Sequence, residues 1–146
     1  MVAADLSGKR VFLDTAPLIY FMEGHTVFQP VLLRILALHA QGTFSFVSST
    51  ITLSEVLVKP FEAAQDELAA KYREWLTNNA GLTLVSLTPA IAEEAARLRS
   101  RYAVKLPDAI QIATALQTRC DIFLTNDIRL KRIEELPVIL LSDFTR

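Results

Sequence analysis

Arg10-Val11-Phe12-Leu13-Asp14 is the stretch on which the reading of this chain turns. Its apolar run is too short for a helix and lacks the in–out alternation of a strand with one wet face. It reads as a strand covered on both sides, with Asp14 where the strand ends. Pro17 follows at a spacing that suits the first turn of a helix reaching Met22. A strand that leads directly into a helix opens a β–α unit, and the rest of the chain repeats the pattern.

Outward from that unit, residues 31–38 recur at helical spacing and Gly42 acts as a stop. Residues 44–48 read as a second strand. Ser49 and Thr50 can cap a helix carrying residues 52–58, which Pro60 is expected to end. A long amphipathic helix containing Trp75 is expected over 62–78, a third strand over 82–87, and a helix opened by Thr88-Pro89 that runs to about Tyr102. Residues 106–116 form a further helix with Pro107 at its start, followed by strands at 121–125 and 138–141. Near-continuously apolar strands separated by helices imply an α/β fold with a parallel sheet and helices on both faces. No repeat, low-complexity tract or Gly/Ser linker interrupts the pattern, so residues 1–146 are expected to form a single domain.

Composition bounds the function. The chain is 51% hydrophobic and 21% charged, which is globular rather than disordered. Cys120 is the sole cysteine, so no internal disulfide can form and a reducing compartment is expected. Behind Lys9 and Arg10 the apolar run is too short for a signal-peptide core, and no segment approaches the ~20 apolar residues that span a bilayer. A cytoplasmic protein with no membrane contact is the expectation. The net charge of −1 argues mildly against nucleic acid as a partner, because phosphate binding usually draws on a basic surface. Bound divalent cations can reverse the sign of an acidic pocket.

Four acids bear on chemistry. Ligands of open parallel sheets bind outside the carboxyl ends of the strands. Asp14 and Asp127 follow the first and fourth strands, Asp108 lies in the first turn of a helix, and Glu55 lies mid-helix. Taken singly, each also fits a helix cap, a dipole-favoured charge or a solvent-facing residue. Their combination is more informative. If the first strand lies beside the fourth, Asp14 and Asp127 emerge together and the helices of Glu55 and Asp108 can flank them. Converging carboxylates repel by ~4 kcal/mol per pair at 4 Å and an effective dielectric near 20, so such a cluster must protonate or hold a cation. Oxygen-only ligands suit Mg²⁺ or Mn²⁺ rather than zinc. His25 and His39 are isolated, and His39 is expected on a helix surface.

These settings resemble the PIN-domain family, in particular its VapC-like toxin ribonucleases. The resemblance rests on residues 12–20, on Ser54-Glu55-Val56, on 106–115 and on 121–127, and it spans nearly the whole chain. Each motif is weak alone; their order between the right elements is more specific. The resemblance implies a three-layer α/β/α fold with a doubly wound five-stranded parallel sheet. It implies Mg²⁺ or Mn²⁺ held mainly through Asp14 and Asp108, with Glu55 and Asp127 completing the pocket, and endonucleolytic cleavage of RNA. It also implies a homodimer and a cognate antitoxin whose C-terminal segment blocks the pocket. Thr15, Thr125 and Asn126 are candidate contacts to the acids or to substrate, with strand-end hydrogen bonding as the alternative.

RNA must also be gripped. Arg97, Arg99, Arg101 and Lys105 form one basic stretch, and Arg129, Lys131 and Arg132 another; both also suit solvated helix faces. The second stretch is expected to contact backbone phosphates. Tyr20, Phe21 and Met22, or Leu32, Leu33 and Leu36, belong to the core or to a dimer surface. Three rivals remain. A haloacid-dehalogenase-type phosphotransferase wants a second Asp where Ala16 stands, and a response-regulator receiver wants an acidic neighbour that Asp14 lacks. The third, an inactive PIN-like scaffold, sits less well with all four acids being present.

Overall fold

The structure, a computed structural model, describes residues 1–144. Strand β1 (Arg10–Leu13) occupies the middle of a five-stranded parallel sheet ordered β3-β2-β1-β4-β5. The other strands are β2 (Ser45–Ser49), β3 (Leu82–Val85), β4 (Ile122–Thr125) and β5 (Val138–Leu140). The connecting helices are α1 (Thr15–Glu23), α2 (Gln29–Ala40), α3 (Thr50–Glu62), α4 (Asp66–Thr77), α5 (Pro89–Tyr102) and α6 (Leu106–Gln117). Chain order reverses direction at β1, so the sheet is doubly wound and the first strand does lie beside the fourth.

The period-2 geometry of a strand explains the two cores. Val11 and Leu13 of β1, Phe46 of β2 and Leu124 of β4 pack with Leu18, Ile35, Val56 and Tyr72 from α1 to α4. Phe12, Val47 and Phe123 pack on the other side with Ile91 and Leu98 of α5 and Ala109 and Ile112 of α6. Phe12 and Phe123 are register partners whose rings stack with centroids 5.1 Å apart. Burying such a side chain contributes roughly 1.5–3 kcal/mol, so unbroken apolar strands are what a sheet covered on both faces requires.

Helix starts follow their caps. The Thr88 hydroxyl accepts from the Ile91 amide at 3.2 Å ahead of Pro89, and Ser49 accepts from the Ile51 amide at 3.2 Å. Some boundaries differ from expectation. Pro60 does not end α3; it removes one amide from the last turn only, and its ring is buried. The break comes at Ala64, whose φ of 53° turns the chain, so Glu62 closes α3 and α4 begins only at Asp66. β3 is an edge strand and stops pairing at Val85.

His39 is not on a helix surface. It is buried, its Nε2 lies 2.8 Å from the Gly81 carbonyl oxygen, and its ring packs against Phe44 and Phe46. The apolar face of α2 turns it inward, and the carbonyl partner makes the burial tolerable. Leu32 belongs to the core, whereas Leu33 is exposed. No helix among the described residues is long and apolar enough to cross a membrane.

Candidate active site

All four acids face one open cleft of ≈ 510 Å³ at the carboxyl edge of the sheet, together with Thr15, Tyr20, Thr125, Asn126 and Arg129. The sheet explains the placement. Leu13 pairs with Leu124, and the Asp14 amide continues the ladder to the Leu124 carbonyl at 3.0 Å. Asp14 and Thr125 therefore emerge side by side. β2 ends at Ser49 beside β1, which starts α3 at the same edge and brings Thr52 and Glu55 over the site. α6 delivers Asp108 from its first turn and Gln111 one turn later.

Asp14 is the N-cap of α1 and the centre of the cluster. Its Oδ1 accepts from the Thr15 amide at 2.9 Å and from Gln111 Nε2 at 3.4 Å; its Oδ2 accepts from Thr125 Oγ1 at 2.7 Å. The residue is partly buried and keeps access to the cleft. Burial pushes its pKa up to about 6 against the lowering effect of Thr125 and the Thr15 amide, and the Asp108 charge adds to the rise. Asp108 is raised too, by burial first and then by the charges of Asp127 and Glu55. The repulsion expected of converging acids is thus felt at both.

Glu55 is solvent-exposed as a residue, yet its carboxylate is held in the site. Thr15 Oγ1 donates to Glu55 Oε1 at 2.8 Å. That donation assigns the protons behind it: Thr52 Oγ1 donates to Thr15 Oγ1 at 2.9 Å, and Gln111 Nε2 donates to Thr52 Oγ1 at 2.7 Å. Ser49 Oγ in turn donates to Gln111 Oε1. The hydroxyls of this chain, buried at Ser49 and Thr52, all donate in one direction, ending on a carboxylate that can only accept when ionised.

Asp127 is bound differently. Its Oδ1 accepts from the Arg129 amide at 3.0 Å and from Arg129 Nε at 3.0 Å, and its Oδ2 accepts from Arg129 Nη2 at 2.8 Å. The guanidinium holds the Asp127 carboxyl below its usual range. Asp127 thus caps the 3-10 helix Ile128–Arg132, as its position after a strand suggested, and lines the cleft as well. Asn126 Nδ2 donates to the Tyr20 hydroxyl at 3.2 Å.

Gln111, Thr52 and Tyr20 were missed as site residues. A signal existed for Gln111: it is a polar residue among the apolar ones of its helix, one turn after Asp108, and it is buried, as is Thr114. Thr52 carries the weaker sign of lying three residues before Glu55. The basic residues divide. Lys131 turns away to Asp143 at 2.9 Å, and Arg97 and Arg101 pair with Glu93, Glu94, Glu134 and Glu135. Lys105, Arg129 and Arg132 instead line a second cleft of ≈ 160 Å³ that shares Asp108 and Asp127 with the first.

Oxygen-only donors in a field negative enough to raise two carboxyls suit a hard divalent cation. Among the described residues, no three His, Cys, Asp or Glu side chains converge closely enough to cage an ion by themselves. A hard cation that uses one or two carboxylates and keeps several waters does not require such a cage.

Solved structures share the fold. VapBC2 from Rickettsia felis, bound to a DNA fragment from its promoter, is 16% identical with a TM-score of 0.70, over 90% of this chain and 98% of that one. A toxin–antitoxin complex from Klebsiella pneumoniae is 26% identical with a TM-score of 0.65, over 90% and 97%. VapC20 from Mycobacterium tuberculosis, a toxin that cleaves the sarcin–ricin loop, is 15% identical with a TM-score of 0.63, over 77% and 86%. No curated protein matches the chain. The PIN domain family model matches residues 11–136, nearly the whole chain, and the protein belongs to that family.

Proposed function

We propose that the protein is a metal-dependent endoribonuclease and the toxin of a toxin–antitoxin pair, acting in the cytoplasm. The observation that carries the nuclease reading is the gathering of Asp14, Glu55, Asp108 and Asp127 on one cleft at the switch point of a PIN-domain sheet. Asp14 and Asp108 are the metal ligands of this proposal, with Glu55 and Asp127 completing the pocket. A Mg²⁺ or Mn²⁺ ion held by these residues would supply water activation and offset charge building on the phosphate.

The chain's own groups supply the order. Thr125, Gln111 and the Thr15 amide pin the Asp14 carboxylate from three directions, so it needs little reorganisation to serve as a ligand. The donor chain from Ser49 through Gln111, Thr52 and Thr15 fixes Glu55 over the cleft, where its carboxylate can take a proton from the attacking water. Lys105, Arg129 and Arg132 face the RNA phosphates beyond the scissile one. Lys131, turned to Asp143, is left out of that contact.

RNA as substrate is supported by VapC20 sharing the fold, and an antitoxin partner by the Klebsiella and Rickettsia complexes. An apolar groove lined by Phe21, Met22 and Trp75 offers that partner a surface, and exposed Val58 and Phe61 on α3 offer one to a second copy in a homodimer. The test is cleavage of RNA by the purified protein. Internal cuts are expected with Mn²⁺ or Mg²⁺ and none in EDTA; cleavage that persists in EDTA contradicts the proposal.

A further inference from the structure

Among the described residues, Arg129 is the cation that lines the acidic cleft. It lines both clefts, the one with the four acids and the one with Lys105 and Arg132. Its guanidinium grips both oxygens of Asp127, at 3.0 and 2.8 Å, on a 3-10 helix that begins at the next residue. The Arg129 side chain is 66% exposed, so water can take the place of the carboxylate at the guanidinium. Asp127 is 26% exposed and remains tied to the Arg129 amide when the side chain departs.

These facts set up a competition. Asp127 can satisfy its charge with the guanidinium or with an incoming divalent ion, and the fork geometry that fits a carboxylate fits a phosphate equally well. We propose that Arg129 is an exchangeable counter-cation: it neutralises Asp127 in the free protein and transfers to an RNA phosphate when a divalent cation takes its place. Metal and RNA then bind cooperatively, because each relieves the other of the same internal pair, and by linkage the coupling is reciprocal. In free protein the pair lowers metal affinity and shields the site from metal uptake without substrate. This inference rests on the reading of the cleft as a metal-dependent nuclease centre.

The test measures Mn²⁺ binding to nucleic-acid-free protein by electron paramagnetic resonance, a readout independent of turnover. Arg129→Gln is expected to tighten Mn²⁺ binding by about 3- to 5-fold, the scale of an exposed ion pair removed. Arg129→Lys keeps the charge but loses the fork, and is expected to tighten it by roughly 2-fold. Lys105→Gln removes a charge that also acts on Asp108 and Asp127 without holding either, and controls for the general field. It is expected to have less effect than Arg129→Lys. In the second arm, Mn²⁺ is expected to strengthen wild-type binding of a non-cleavable single-stranded deoxyoligonucleotide more than it strengthens binding by Arg129→Gln.

Mn²⁺ affinities of both Arg129 variants within error of wild type, with Asp14→Asn still weakening Mn²⁺ binding, overturn the exchange and leave the nuclease reading standing. A Lys105→Gln effect as large as that of Arg129→Gln, with none for Arg129→Lys, overturns it in favour of a diffuse field. Mn²⁺ binding that is absent, or indifferent to Asp14→Asn, overturns both.

Discussion

Asp14 performs two tasks that pull against each other. As the cap of α1 it is held by the Thr15 amide, and as a buried acid its pKa is pushed up to about 6 from 3.8. An acid raised by folding weakens the fold as it ionises. Below about pH 4 folded and unfolded chains are both protonated and the group is neutral in effect; between about 4 and 6 the unfolded chain loses its proton first and stability falls; above that the loss is constant. In EDTA, Asp14→Asn is therefore expected to be more stable than wild type by about 1–3 kcal/mol at pH 7.5, with the gap closing towards pH 4. Urea unfolding at the two pH values checks this, and a gap that widens on acidification contradicts it. Gln111 is the other residue on which the site depends. Gln111→Leu leaves the Ser49 and Thr52 hydroxyls without their buried partner, an expected loss of about 1–3 kcal/mol. It also slackens the hold on Asp14 and on the chain to Glu55, and the cleavage rate is expected to fall on the order of tenfold. An unchanged rate in a folded variant would show that the chain is structural only. The place of Asp14 at the cleft was legible because it follows a strand of an open parallel sheet. Gln111 was less legible: its place one turn after Asp108 was a signal, but the partners that give it a role are distant in sequence.

At the scale of elements, strands and caps were legible and helix ends were not. The unbroken apolar runs of β1, β2 and β4 announce burial on both faces, and Thr88-Pro89 announces the start of α5. Pro60 misleads because a proline in a helix's final turn removes little, whereas the break it seemed to mark lies at Ala64, a residue with no turn signature. His39 misleads for a similar reason. Its burial depends on the Gly81 carbonyl, a tertiary contact that periodicity cannot see. The same contact explains the glycine: a Cβ at Gly81 would lie 2.5 Å from His39 Nε2. Gly81→Ala must displace a packed ring and not a flexible chain end, with an expected loss of roughly 1–3 kcal/mol. His39→Ala in the Gly81→Ala background is expected to cost less than His39→Ala alone. A purely additive double-mutant cycle by thermal unfolding contradicts that.

For the whole molecule, a net charge of −1 conceals a local division. All four acids line one cleft at the sheet edge with Arg129 as its cation, and Lys105 and Arg132 join Arg129 in an adjoining cleft that shares only Asp108 and Asp127 of the acids. The order of strands creates this division: β1 beside β4 brings Asp14 and Asp127 to one cleft, and α6 adds Asp108, which lines both clefts. Among the described residues neither Lys105 nor Arg132 forms an ion pair, so both are available to phosphate. Replacing both with Ala is expected to weaken RNA binding and to flatten its dependence on salt by close to 2 in logarithmic slope. Lys131→Ala, paired to Asp143, is expected to leave that slope unchanged; the opposite pattern in a salt titration contradicts the division. The bulk charge could not reveal it, since opposite fields cancel in a sum.

The proposed metal centre is tested most directly by single-turnover cleavage of a labelled RNA in saturating Mn²⁺, comparing wild type with Asp14→Asn and Asp108→Asn. Both variants keep shape and lose a charged ligand, and each is expected to cut at least ~10³-fold more slowly while remaining folded. Cleavage by either variant within tenfold of wild type would contradict the assignment of these two acids as the ligands of the catalytic ion.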